Sequence, residues 1–218
     1  NTKEKITFIL EVAKLLHKNG IPAHRMEHTM KTLCEGLNII GDFFTTPNSI
    51  FATLQINEET TTHLLRASHG ELNLEKLDAL GKIMKAVILK KYSIAAGLAQ
   101  IKTLNNKPPR YGKLLTILFF GLSTGSAARI FGGGLGEIII ATIIGLFVGG
   151  ALNLAAYFPK LNKLVIVASA LFAMSIAKLG TVYFGNYNVD TATITGLIIL
   201  IPGFSFTVAI TEMVNGYT

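Results

Sequence analysis

The stretch that decides the fold is residues 138–158, which read IIIATIIGLFVGGALNLAAYF. It contains no charged residue, and a helix of this length extends about 31 Å, close to the roughly 30 Å hydrocarbon core of a bilayer. Three further apolar runs of similar length lie at 114–131, 164–184 and 191–213. The sequence therefore predicts a membrane protein with four transmembrane helices.

The composition of the chain changes near Arg110. Over all 218 residues 50% are hydrophobic and 15% are charged, whereas in soluble domains charged residues approach about a quarter. Lys, Glu, His and Asn are concentrated before Arg110, and Gly, Ile, Leu and Ala dominate after it. We therefore predict two domains, with residues 1–107 forming a polar domain and residues 108–218 forming a transmembrane helical bundle.

The polar domain is predicted to be α+β. Amphipathic spacing indicates helices at 4–18 and 22–37, the first closed by Asn19-Gly20. Short segments rich in β-branched and aromatic residues predict a small antiparallel sheet, and two further helices follow it, the first with Asn73 as its N-cap. The predicted strands are 43–46, 49–56 and 60–67, and the later helices are 74–90 and 94–104. Cys34, the one cysteine, is expected to be a small buried side chain.

The loops between the apolar runs indicate the orientation of the chain. The basic residues fall in alternate loops, at Lys107, Arg110, Lys113, Lys160 and Lys163, while the other two loops hold Glu137 and Asp190. Because basic loops tend to remain in the cytoplasm, the polar domain is predicted to be cytosolic and the protein to be a multi-pass protein of the cell membrane. The net charge of +7 does not indicate nucleic-acid binding, since no basic cluster is interleaved with aromatic residues.

Two charged residues and one amide lie within the apolar runs: Arg129, Lys178 and Asn153. A charge at the middle of a membrane helix costs roughly 2.5 to 3.5 kcal/mol, so those present often serve a transport pathway. All three are therefore candidates for substrate binding. The alternative is that the long side chains of Arg129 and Lys178 reach the outer headgroups.

The fourth run carries Pro202 and Gly203 near its centre. Pro202 removes a backbone donor and clashes with the preceding turn, so the helix is predicted to bend or break there. In transporters the half-helix ends at such a break bind carboxylates and ions, and the hydroxyls of Ser205 and Thr207 would lie beside it. The alternative is a proline kink without a ligand.

His24-Arg25-Met26-Glu27-His28 fits the H-x-x-E-H pattern of inverted zinc peptidases. On a helix the two histidines share a face and could bind zinc, with Glu27 as base. A third ligand is required, and Glu71 and Glu75 are the nearby acids. The alternative is a polar surface helix with solvated histidines and no metal.

Three separated segments resemble the threonine/serine exporter family. The first segment, Asn19-Gly20 followed by His24-Arg25-Met26-Glu27, is similar to the family pattern Gly…His-Arg-x-Glu. The second, Ala127-Ala128-Arg129-Ile130-Phe131-Gly132-Gly133-Gly134, is similar to Ala-x-Arg-Leu-Phe-Gly-Gly-Gly. The third, Ile201-Pro202-Gly203 with Thr207, Ala209 and Ile210, is similar to Leu-x-Pro-Gly…Thr-x-Ala-Ile. The order and spacing of these segments also fit, so the resemblance covers essentially the whole chain.

The resemblance implies a subunit of a secondary transporter and not an enzyme. Its members export threonine and serine with protons, or a dicarboxylate such as succinate in two-component members. The binding partners implied are the lipid bilayer, a small carboxylate-bearing substrate and a second membrane component or fused second domain, in an oligomer without cofactor or metal.

The same resemblance suggests roles for particular residues. Glu212 takes the place of a family acidic residue and becomes a proton-linked candidate, while His24, Arg25 and Glu27 form the motif of the cytosolic domain. A fifth helix is expected after Thr218, so the chain is interpreted as truncated. The alternatives are a membrane-anchored zinc hydrolase and a regulatory subunit of the exporter.

Overall fold

A computed structural model describes residues 2–67, 72–108, 110–158, 162–185, 187–214 and 216, with the side chains of all but 162 and 163. The helices are α1 (Thr2–Lys18), α2 (Ala23–Gly36), α3 (Leu74–Ile88), α4 (Ile94–Asn106), α5 (Lys113–Ile130), α6 (Leu135–Ala155), α7 (Asn162–Phe184), α8 (Val189–Gly196) and α9 (Gly203–Val214), and the strands are β1 (Ile40–Thr46), β2 (Ser49–Ile56) and β3 (Glu59–Arg66). A short 3-10 helix lies at Ile198–Leu200. Glu71 and Lys160, which carried sequence-based predictions, lie outside the described residues.

The chain divides into two compact units. The N-terminal unit comprises residues up to 108 together with those from 205 onward, and the helical unit comprises residues 109–204. Each unit has its own buried apolar cluster.

The core of the N-terminal unit forms around α1. The apolar face of α1 is buried because its apolar residues recur at helical spacing, and α2, β2, α3 and α4 close over it. The largest fully buried side chains there are Phe8, Ile9, Val12, Met26, Met30, Leu33, Ile50, Leu54, Leu80 and Ile101. As predicted, Asn19-Gly20 ends α1, with Gly20 at φ 73, and the Asn73 side chain caps α3 by accepting from the Lys76 amide.

The predicted antiparallel sheet is confirmed. Its three strands are in the order β1-β2-β3, so both outer strands are edges of the sheet. Phe44 lies opposite Phe51, which lies opposite Leu64, and this row faces outward with exposed fractions of 60%, 40% and 65%. β1 begins at Ile40, earlier than predicted, because Ile40 and Gly41 pair with the end of β2 although Gly41 itself has low strand propensity.

In the helical unit α5 and α6 pack closely through glycines. A Cβ on Gly149 would lie 2.7 Å from Phe120 Cδ2, and one on Gly121 would lie 2.7 Å from Leu146 Cδ2. Across the same contact Thr124 Oγ1 donates to the Ala141 carbonyl at 2.8 Å. Small residues let two membrane helices approach where burial of apolar surface does not drive association.

α7 and α8 also pack against α6, and α8 contacts α5 as well. Ile144 and Val148 are fully buried against Ala173 and Ala177 of α7 and Ala192 of α8.

The described residues contain two helices that are long and apolar enough to cross a membrane, α6 and the part of α7 from Leu164 to Phe184. A third such segment results if α8 and α9 are taken as one broken span. α5 coincides with the predicted first run but carries Lys113 and Arg129 near its two ends. The chain is thus mostly helical, with two or three apolar helices and a small sheet, as expected of a membrane protein, while the fourth span stays a prediction.

Candidate functional site

Arg129 lies in the last turn of α5, where a glycine-rich turn ends the helix. Gly132 has φ +81, a left-handed conformation that favours glycine, and the Gly133 amide donates to the Ala128 carbonyl at 2.9 Å. The exposed Arg129 side chain folds over this turn, and its Nη1 donates to the Gly133 carbonyl at 3.3 Å. The turn therefore orients the guanidinium while leaving it accessible.

Glu137, in the first turn of α6, joins this turn to a second loop. Its Oε2 accepts from the Gly134 amide at 2.9 Å, and its Oε1 accepts from the Asn188 amide at 2.8 Å. Asn188 is the N-cap of α8, and its side chain accepts from the Thr191 amide. The carboxylate thus fixes the Arg129 turn and the start of α8 at the same end of the helical unit. No motif or spacing in the sequence indicates this role of Glu137.

Asn153 is not assembled with Arg129. Asn153 lies near the other end of α6 from Glu137, about 24 Å along the helix, and its Nδ2 donates to the Gly149 carbonyl at 3.0 Å. Lys178 is exposed on α7. The structure therefore separates Arg129 from Asn153 within the helical unit.

The fourth apolar run is broken at the position the sequence indicates. α8 ends at Gly196, the 3-10 helix occupies Ile198–Leu200, and Ile201 is extended at φ −79 and ψ 116. The Gly203 amide donates to the Ile201 carbonyl at 2.8 Å, and α9 starts there. Pro202 and Gly203 are both exposed, so the break presents backbone to its surroundings.

The other candidate residues of this run lie in α9. Ser205 and Thr207 are exposed, and the Thr207 carbonyl accepts from Thr211 Oγ1 at 2.9 Å. These residues and Glu212 belong to the N-terminal unit, whereas Arg129, Asn153, Lys178, Pro202 and Gly203 belong to the helical unit.

The histidine-containing motif occupies the first turns of α2. Arg25 and His28 are exposed, while His24 and Glu27 are half-buried, with His24 Nδ1 and Glu27 Oε1 fully enclosed. Glu212 lies beside this motif, because its Oε1 accepts from the Ala23 amide at 2.8 Å. The family resemblance suggests a proton-linked role for Glu212, and no sequence pattern indicates this contact with α2.

A zinc site is not assembled in the part of the chain that the structure describes, where no group of three His, Cys, Asp or Glu side chains comes together. Glu75, one of the proposed third ligands, forms an ion pair with Lys107 at 3.0 Å, and Glu71 lies outside the described residues. His24 and His28 therefore have no described third ligand.

Comparison with known proteins identifies the family. A family model described as "Putative threonine/serine exporter" matches residues 7–218. "Pheromone-regulated membrane protein 10" of Debaryomyces hansenii is 29% identical over 203 residues, covering 90% of this chain and 20% of that protein. The proteins of that name in Candida albicans (strain SC5314) and Yarrowia lipolytica are 29% and 27% identical, covering 90% of this chain and 18% and 17% of theirs.

The chain spans about a fifth of the length of these curated relatives. No solved structure matches it. The family match extends over the motif of α2, the Arg129 turn and the Pro202-Gly203 break. The chain therefore belongs to the threonine/serine exporter family.

Proposed function

We propose that this chain is one component of a proton-driven secondary transporter in the cell membrane that exports threonine, serine or a dicarboxylate. The observation that carries the proposal is the family match over residues 7–218, which includes a broken apolar segment at Pro202-Gly203. Broken membrane helices of this type supply half-helix ends for substrates and coupling ions. The chain acts in transport, with no catalytic role.

In the proposed topology residues 1–107 are cytosolic and the region 108–218 crosses the membrane four times, through α5, α6, α7 and the α8–α9 pair. The ends of the helical unit support this arrangement. Glu137 bonds both the α5–α6 turn and the start of α8, as expected if both connections lie on one side of the membrane. Lys113 donates to the Tyr157 hydroxyl, which places the start of α5 beside the end of α6.

The proposed substrate contacts begin with Arg129, whose exposed guanidinium is a planar donor suited to a carboxylate. Pro202, Gly203, Ser205 and Thr207 supply the backbone and hydroxyl groups at the break, and Asn153 and Lys178 contribute along the pathway. Glu212 is proposed to be the proton-linked group. A second membrane component, or a fused second domain, completes the transporter, which we propose to be an oligomer.

The test is efflux of labelled threonine, serine and succinate from cells that express the chain with and without its second membrane component. We expect efflux only when both components are present. Arg129→Ala should abolish it without changing the amount of protein in the membrane, because the substrate carboxylate loses its cation. Arg110→Ala is the matched control, since Arg110 is exposed next to Tyr111 and before α5.

Unchanged efflux in Arg129→Ala would remove Arg129 from the substrate site. Absence of efflux of all three solutes with both components present would overturn the proposed substrate class.

A further inference from the structure

A single hydrogen bond joins two helices that are far apart in sequence. Glu212, in the last turn of α9, accepts through Oε1 from the amide of Ala23, the first residue of α2, at 2.8 Å. The two residues are 189 positions apart, and both are half-buried. Both residues belong to the N-terminal unit.

α2 begins without a cap from its own sequence. Its N-cap is Pro22, which makes no side-chain capping bond, and its first turn contains no acidic residue. The first amides of a helix require acceptors, and the positive end of the helix dipole favours a negative charge. The Glu212 carboxylate supplies α2 with a hydrogen-bond acceptor and with a negative charge at its N-terminus.

The same charge is unfavourable in α9. Glu212 lies at the C-terminal end of that helix, where the dipole is negative, and no basic residue accompanies it in the last turn. An acid at this position is therefore unfavourable for α9 alone and favourable once α2 begins beside it. Because the Glu212 charge is unfavourable for α9 and favourable for α2, the contact differs from an incidental surface hydrogen bond.

We propose that Glu212 is a latch that fastens α9 to α2 and so couples the helix after the Pro202-Gly203 break to the helix of the His24-Arg25-Met26-Glu27 motif. Gly203 and Glu212 are in one helix, about 13 Å apart along its axis, so a displacement at the break is carried to α2. The role in transport rests on the function proposed above, whereas the latch contact itself does not.

The contact is tested by hydrogen–deuterium exchange on the full chain in detergent. In Glu212→Ala the amides at the start of α2 should exchange about fivefold faster, as expected for the loss of a helix cap. Glu35→Ala is the matched control, because it removes an exposed acid at the opposite end of the same helix. It should leave exchange at the start of α2 unchanged.

Unchanged exchange at the start of α2 in Glu212→Ala would overturn the latch. Equal acceleration in residues 8–16 of α1, most of which are buried, would indicate general unfolding and would also count against it.

A double variant separates coupling from local stability. Pro22→Asp combined with Glu212→Ala gives α2 a cap of its own but no link to α9, since Asp is a preferred N-cap residue. The latch predicts that this variant regains slow exchange in α2 while threonine, serine and succinate efflux stays as low as in Glu212→Ala. Because Glu212 is also the proposed proton-linked group, Glu212→Gln is compared with it, since glutamine keeps an acceptor for the Ala23 amide but has no titratable proton. The latch predicts slow exchange and higher efflux in Glu212→Gln than in the double variant, whereas equally low efflux in both would assign the loss to proton coupling and overturn the coupling role of the latch. Recovery of both slow exchange and efflux in the double variant would show that Glu212 only stabilises α2, and would overturn the coupling role.

If the unmodified transporter exports none of these solutes, the proposed function fails. The exchange comparison still decides whether the latch exists.

Discussion

Cys34 lies in the last turn of α2 with none of its surface exposed, and a Cβ on Gly41 would lie 2.6 Å from its Sγ. Burial, with a smaller contribution from the neighbouring Glu35, raises the pKa of the Cys34 thiol from 9.0 to about 12. Because the thiolate is the reactive form, Cys34 is both shielded and chemically inert near neutral pH.

We expect N-ethylmaleimide at pH 7.5 to leave Cys34 unmodified in the folded chain and to modify it completely in denaturant, as measured by intact mass. The raised pKa also makes the N-terminal unit lose stability as the pH rises above 9, because the unfolded thiol ionises from there while the folded thiol stays protonated up to about 12. Rapid modification of the folded chain would contradict the described packing.

The sequence correctly predicted the roles of single residues where those roles depend only on neighbours in the chain. Gly20 ends α1 and Asn73 caps α3 because backbone conformation and a side-chain acceptor act within a few residues. The burial of Cys34 was also expected from its residue type. The enclosed Nδ1 of His24 was not predicted, since it depends on packing that the helix pattern does not encode.

The contact between α5 and α6 requires glycine at positions where the neighbouring helix leaves no room for a side chain. A Cβ on Gly149 would lie 2.7 Å from Phe120 Cδ2 and 3.4 Å from Ile117 Cα, whereas one on Gly150 would meet nothing within 4 Å. Two adjacent glycines in one helix therefore have opposite tolerance for a side chain.

Gly149→Val should destabilise the helical unit by about 1–3 kcal/mol, because the added methyls force α5 and α6 apart. Gly150→Val is the control, since it carries the same change in helix propensity without the clash. Thermal unfolding in detergent, followed by circular dichroism, should show a lower midpoint for the first variant than for the second. Equal midpoints would contradict this packing.

Among the helices and strands, prediction from sequence was most accurate where a single residue determines the local backbone. Pro202 predicted the break because proline cannot continue the backbone hydrogen bonding of the preceding helix. The 3-10 helix at Ile198–Leu200 was not predicted, because its three apolar residues continue the apolar run without a turn signal. The early start of β1 at Ile40 was missed because pairing with β2 overrides the low propensity of Gly41.

Each of the two units contains a contact between residues far apart in the chain that no periodic pattern indicates. Glu137 and Asn188 are 51 positions apart, and Glu212 and Ala23 are 189 apart. Amphipathic spacing shows which face of a helix is buried, but a single hydrogen bond between distant residues leaves no repeating signal. The composition change near residue 108 was readable from sequence, whereas these two carboxylate contacts were not.

The proposed orientation predicts which loops are reached from outside the cell. Leu135 and Tyr111 are both exposed in the structure, at 79% and 59%, and the proposed topology places them on opposite sides of the membrane. A membrane-impermeant maleimide on intact cells should label Leu135→Cys and not Tyr111→Cys, with Cys34 giving no background. The reverse pattern would invert the topology.

The Glu137 carboxylate also has a mechanical consequence for the helical unit. It ties the α5–α6 turn and the first residue before α8 to one side chain, so that end of the unit resists separation. At the other end, the Lys113–Tyr157 contact joins only α5 and α6. We therefore expect the α5–α6 turn and the start of α8 to remain together when the helical unit moves.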